Sequence, residues 1–158
     1  MKEDGAWRGR PGKSGVPEQG VENRTVRDVV SIGGGMAGLT ASGMLSRYGV
    51  QNHVVYDRAP TGQEGPWVTY ARMETLRSPK TFTGPCLGLP ALPFRVRHEA
   101  RLVTDAWEAL GFIPRLSRMD YLRWFRKALD IPVDNASELP DIRYCQDGIL
   151  VLLLRQQG

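Results

Sequence analysis

The sequence predicts an α/β fold nucleated by one strand–turn–helix–strand unit, and three observations carry that expectation. A β-branched run, Val29, Val30 and Ile32, leads straight into Gly33-x-Gly35-x-x-Gly38. A helical pattern follows and meets a stop at Gly49. A second β-rich run, His53 to Tyr56, then ends on an acid, Asp57.

Each element has a physical reason. A short β-branched run bounded by glycines reads as a buried strand. Gly33 lets the chain reverse as it leaves that strand, Gly35 lets a ligand phosphate approach bare backbone, and Gly38 lets the helix pack closely. Met36 and Ala37 open the helix, where free N–H groups and the helix dipole favour an anion. Met36, Leu39, Thr40 and Gly43 share one face of it. Asp57 stands nineteen positions after Gly38, where a carboxylate can accept both hydroxyls of an adenosine ribose. It would repel a 2′-phosphate, which argues against NADP at this turn. The unit therefore reads as dinucleotide-binding, with FAD and NAD both open.

Further residues carry a resemblance. After Tyr56-Asp57-Arg58 comes Glu64-Gly65-Pro66-Trp67, then Arg72 to Lys80, then Met119-Asp120-Tyr121-Leu122-Arg123-Trp124-Phe125. In this order they resemble the N-terminal part of flavin-containing monooxygenases and of bacterial FAD/NAD(P)-dependent oxidoreductases, some of which are urate hydroxylases. Asp57 replaces the commoner Glu of that family, and Pro66 sits where another small residue is usual. The resemblance runs from about Asp28 to the C-terminus. It implies a Rossmann-like FAD-binding βαβ unit and a monooxygenase-type oxidoreductase acting on a small-molecule substrate. NAD(P)H would reduce FAD, and oxygen would then be used to oxygenate the substrate. The implied cofactor-binding residues are Gly33, Gly35, Met36, Ala37, Gly38, Asp57, Arg58, Gly65, Trp67 and Arg77, with Ser78 near the flavin or the substrate. No catalytic side chain is singled out. The alternatives are an NAD-binding dehydrogenase or reductase, and a non-catalytic nucleotide-binding remnant.

The rest of the chain is less regular. Residues 1–24 are rich in Gly, Pro and charge and read as a disordered basic leader, so that 25–158 form the domain. Residues 58–94 are dense in Gly and Pro and leave little room for long helices or strands. Helical spacing of Leu102, Val103, Ala106, Trp107 and Leu110 predicts a helix over 99–110, with Trp107 in the core. Ser117 followed by Asp120 reads as an N-cap with an acid at N3, opening a helix to about Leu129. Its apolar face is Tyr121, Leu122, Phe125, Ala128 and Leu129, and Arg123, Arg126 and Lys127 read as its solvated face. Asp147-Gly148 between apolar runs predicts a C-terminal β-hairpin.

Composition bounds the function. The chain has 158 residues, 41% hydrophobic and 24% charged, which fits a modest globular domain. The net charge of +4 owes much to the basic residues of the first 27 positions and comes with no nucleic-acid motif, so no nucleic-acid partner is expected. Two cysteines and two histidines show no ligand spacing, so no metal is expected. No apolar run reaches membrane length and no signal peptide is recognised, which predicts a cytoplasmic protein without a membrane partner. There is no second glycine-rich turn for a nicotinamide nucleotide. The fold is therefore expected to be incomplete, the N-terminal part of an FAD-binding domain that is inactive as this fragment.

Overall fold

Strand β1 (Val29–Ile32) and strand β2 (His53–Tyr56) pair in parallel, with Val29 opposite His53 and Ile32 opposite Tyr56. Helix α1 (Met36–Arg47) connects them. The computed structural model describes residues 25–82, 84–102, 105–144 and 150–156. The basic leader and the Asp147-Gly148 turn lie outside the described residues.

The parallel nucleus has three strands rather than the two expected. Strand β3 (Val133–Asp134) adds beside β2, with Val55 opposite Val133, and the order is β1-β2-β3. Two residues are too short a run for alternation or propensity to announce. The pairing is instead fixed by β2, whose Val55 N–H donates to Pro132 O and whose Asp57 N–H donates to Asp134 O. As the middle strand, β2 is buried, and Val55 is fully inaccessible.

Helix α1 ends as expected: Tyr48 caps it and Gly49 takes a left-handed φ of +84°. Leu39, Ser42 and Gly43 are its buried residues, whereas Met36 is exposed and does not join the buried face. His53, which stands alone in the sequence, is paired in space. Its Nδ1 donates to Val50 O, leaving Nε2 to accept from the Ser42 hydroxyl at 2.8 Å.

Between β2 and α4 the chain is largely irregular, as its Gly and Pro content predicts. The helix expected over 99–110 is two helices, α2 (Phe94–Arg101) and α3 (Ala106–Ala109). Leu102 is extended and Asp105 is left-handed with φ +73°, so the apolar spacing continues across a break in the backbone. Trp107 is buried as expected, and Lys80 Nζ donates to Trp107 O and Leu110 O at the end of α3.

Helix α4 (Arg115–Ala128) starts earlier than the Ser117 cap predicts, after Pro114. The Arg115 N–H donates to Glu74 O, so a neighbouring segment satisfies the helix end without a side-chain cap. Ser117 and Asp120 lie inside the helix, and Asp120 pairs with Arg123. Tyr121, Leu122 and Phe125 are buried, and Tyr121 Oη lies 2.9 Å from both Pro85 O and Leu92 O. Ala128 is exposed rather than part of the apolar face. Strands β4 (Ser137–Tyr144) and β5 (Leu150–Gln156) form the antiparallel C-terminal pair.

Candidate functional site

The three motif glycines are held by different forces. Gly33 takes φ +100°, which only glycine adopts easily, and its N–H donates to Tyr56 O at the end of β2. A Cβ on Gly38 would lie 1.9 Å from Gly33 O, so only glycine lets α1 close on the strand. Gly35 differs from both. It is the N-cap of α1 with φ −69°, and a Cβ there would meet nothing nearer than Gly65 Cα at 3.7 Å. The protein leaves room at Gly35 that its own packing does not demand.

That room adjoins the start of α1. The helix has no side-chain cap and no acid in its first turn. The first intrahelical bond of this end is from Leu39 N to Gly35 O, which leaves the N–H groups of Met36, Ala37 and Gly38 without an intrahelical acceptor. Met36 and Ala37 are exposed. An uncapped helix start with bare backbone beside it suits a phosphate or pyrophosphate.

Asp57 is 8% exposed and reaches back to this turn. Its Oδ2 accepts from Gly34 N at 2.5 Å and its Oδ1 from Ala59 N at 2.7 Å. Each oxygen keeps a second lone pair, enough for a diol. The two backbone bonds lock the carboxylate at the end of β2.

Seven of the ten sequence-predicted cofactor residues therefore gather around one turn: Gly33, Gly35, Met36, Ala37, Gly38, Asp57 and Gly65. Gly65, with φ +75°, faces Gly35 across the turn. Trp67 is half-buried against the core, and its carbonyl accepts from Arg115. Arg58 and Arg77 are exposed. No hydrogen bond or ion pair among the described residues ties either of them to the turn.

The sequence reading missed residues behind the turn. Gly34 is buried, and a Cβ there would stand 3.0 Å from Glu64 Cγ and 3.3 Å from Asp57 Cβ. Glu64 is 4% exposed and accepts from Arg126 Nη1 at 2.6 Å and Asn135 Nδ2 at 2.8 Å. Arg126 also donates to Asn135 Oδ1 and Val133 O. It is thus no part of a solvated face. Arg123 donates to Gly62 O through Nε and Nη2. A cavity of about 370 Å³ opens here, between α1, α4 and the 61–64 loop, with Gly34, Glu64, Arg123, Arg126 and Lys127 in its wall. Arg118 on α4 is 2% exposed, and its guanidinium lies against Met36 Sδ and the Tyr121 ring. Burial lowers the pKa of Arg118 and pushes the Tyr121 hydroxyl up to about 12, the latter shift partly offset by Arg118. The partners of Glu64 lie 62 and 71 positions away, so no local spacing could reveal them.

With this geometry in place, comparisons with known proteins point one way. Residues 27–78 match the family model described as an FAD binding domain. The chain is 54% identical over 114 residues to an FAD-dependent urate hydroxylase of Xanthomonas campestris pv. campestris, a match covering 72% of this chain and 24% of that protein. A flavin-containing monooxygenase from Stenotrophomonas maltophilia superposes with a TM-score of 0.57 at 23% identity, covering 79% of this chain and 35% of that one. A bacillithiol disulfide reductase from Staphylococcus aureus superposes with a TM-score of 0.60 at 16% identity, covering 81% and 33%. At these identities the superpositions speak for the fold alone. The chain spans about a quarter of the length of the curated relative it matches. No helix among the described residues is long and apolar enough to cross a membrane.

Proposed function

We propose that this chain carries the FAD-binding nucleus of an FAD- and NAD(P)H-dependent oxidoreductase of the monooxygenase type, with a small molecule as substrate. The observation that carries the reading is the unfilled space beside Gly35 at an uncapped helix start, within the stretch that matches an FAD binding domain. The residues present fit the cofactor. The N–H groups of Met36, Ala37 and Gly38 would meet the pyrophosphate, and Gly35 and Gly65 would keep side chains out of its way. Asp57, fixed by Gly34 and Ala59, would accept the ribose hydroxyls, and its charge would disfavour a 2′-phosphate. Arg58, Trp67 and Arg77 would lie further along the cofactor. FAD, when bound, supplies the redox chemistry, while the chain binds, orients and shields it.

The 54% identity to an FAD-dependent urate hydroxylase supports a heterocyclic small-molecule substrate such as urate for the protein to which this nucleus belongs. NAD at the same turn is the second reading, and the FAD binding domain match over 27–78 favours flavin over it. The experiment is a titration of the purified chain with FAD, read by flavin fluorescence, against NAD in parallel. Saturable FAD binding with no comparable NAD binding supports the proposal. Tighter NAD than FAD binding overturns it.

A further inference from the structure

We infer that Glu64, Arg126 and Asn135 form a positioning network for the acid of the adenosine half-site; this rests on the FAD reading above. The contacts close a ring. Asn135 Nδ2 donates to Glu64 Oε1 and to Ala59 O at 3.1 Å. The Ala59 N–H donates to Asp57 Oδ1, and Asp57 Oδ2 accepts from Gly34 N. Gly34 backs onto Glu64, so closely that a Cβ would stand 3.0 Å from Glu64 Cγ. Every step around Asp57 is thus set by a neighbour that is itself fixed.

Arg126 completes the arrangement from α4. It neutralises Glu64 at 2.6 Å and donates to Val133 O, tying the ring to β3. A buried carboxylate without a cation would be strongly disfavoured, so Glu64 depends on Arg126. With that pair balanced, Asp57 carries the unbalanced negative charge of the ring. The network thus fixes both where the acid stands and how strongly it repels a 2′-phosphate. Groups that hold a binding residue in place from behind commonly govern affinity without touching the ligand. Both oxygens of Asp57 are held by backbone N–H groups of the chain itself, so ordering the acid adds little to the cost of binding.

The test compares two probes, ADP and adenosine 2′,5′-bisphosphate, by calorimetric titration of the full chain. Wild type is expected to prefer ADP. Glu64→Ala is expected to narrow that preference about tenfold, because the displaced acid no longer opposes the second phosphate. Glu64→Gln keeps acceptors for Arg126 and Asn135 and should hold ADP affinity within about threefold of wild type. Asn135→Ala breaks the link to Ala59 together with the Asn135 bonds to Glu64, Arg126 and Thr61 but leaves the Glu64–Arg126 pair in place, should narrow the preference as well, and serves if Glu64→Ala does not fold. A merely structural role would lower thermal stability and leave the ratio of the two affinities unmoved in the folded variants; an unchanged ratio in Asn135→Ala and Glu64→Ala overturns the inference. If wild type itself binds neither ADP nor FAD, the nucleotide reading fails first, and the inference with it.

Discussion

Replacing one motif glycine by alanine should separate folding from binding. In Gly35→Ala the new methyl meets nothing nearer than Gly65 Cα at 3.7 Å, an ordinary contact, and the backbone angle of −69° suits any residue. Loss of the glycine N-cap destabilises the fold by about 0.5–1 kcal/mol. In Gly38→Ala the methyl lies 1.9 Å from Gly33 O and 3.1 Å from Gly33 C, both backbone atoms that cannot rotate away. The β1–α1 turn must open, and overpacking of this kind destabilises by about 1–3 kcal/mol or more. For the ligand the order reverses. The Gly35 methyl occupies the space a phosphate needs, and losing one charge-assisted contact weakens FAD by about 1.5–3 kcal/mol, roughly ten- to a hundredfold. Urea unfolding of the apo chain and FAD titration of the same samples measure both quantities. Gly35→Ala should unfold near wild type and bind FAD poorly, while Gly38→Ala should already be destabilised without ligand. Wild-type FAD affinity in a folded Gly35→Ala would refute the argument that the room beside Gly35 belongs to a phosphate.

Asp57→Ala should weaken FAD by about 1.5–3 kcal/mol and also destabilise the apo chain, since Gly34 and Ala59 lose their acceptor; Asp57→Glu should be tolerated for ligand, both read by titration. Tyr121 has its pKa raised by burial to about 12, against about 10 unfolded, so its contribution is full below pH 10 and is lost as pH rises through 12. Urea unfolding should show wild type losing about 2–3 kcal/mol more than Tyr121→Phe across that window. Ser42→Ala should cost about 1–3 kcal/mol by leaving His53 Nε2 buried without its donor, measured by the same unfolding curves. With FAD and NAD(P)H added, the purified chain should show no steady loss of reduced-nicotinamide absorbance, because the sequence holds one glycine-rich turn of this kind and, in the proposed reading, the flavin would take it.

What could be read from the sequence was local. The turn of Gly33 to Gly38, the stop at Gly49, the acid at the end of β2 and the C-terminal strand pair all follow from neighbours a few residues apart. Trp107 announced its burial by helical spacing, but the same spacing hid the non-helical backbone of Leu102 and of Asp105, because periodicity describes side chains and not backbone angles. The Ser117 cap was a sound local signal overruled from outside, where Glu74 O already takes the Arg115 N–H. Strand β3 is two residues long and exists because β2 offers its edge. Arg126 read as solvated because its own helix shows only a run of charge, and the carboxylate that claims it arrives from the 58–65 loop.

The glycine turn itself shows how far such a motif can be trusted. Gly33 is required by its backbone angle, Gly38 by contact with Gly33 O, and the intervening Gly34 by the press of Glu64, Val133 and Asp57. Gly33 and Gly38 would be needed in a strand–turn–helix of this shape, and Gly34 in one backed by Glu64 and Val133, whether or not it ever met a nucleotide. Gly35 alone has no such reason within the chain, whereas Gly65, which faces it, is required by its own φ of +75°. The part of the motif that speaks for a ligand is therefore Gly35. A protein that kept Gly33, Gly34, Gly38 and Gly65 but filled Gly35 with a side chain would keep the fold and lose the cradle.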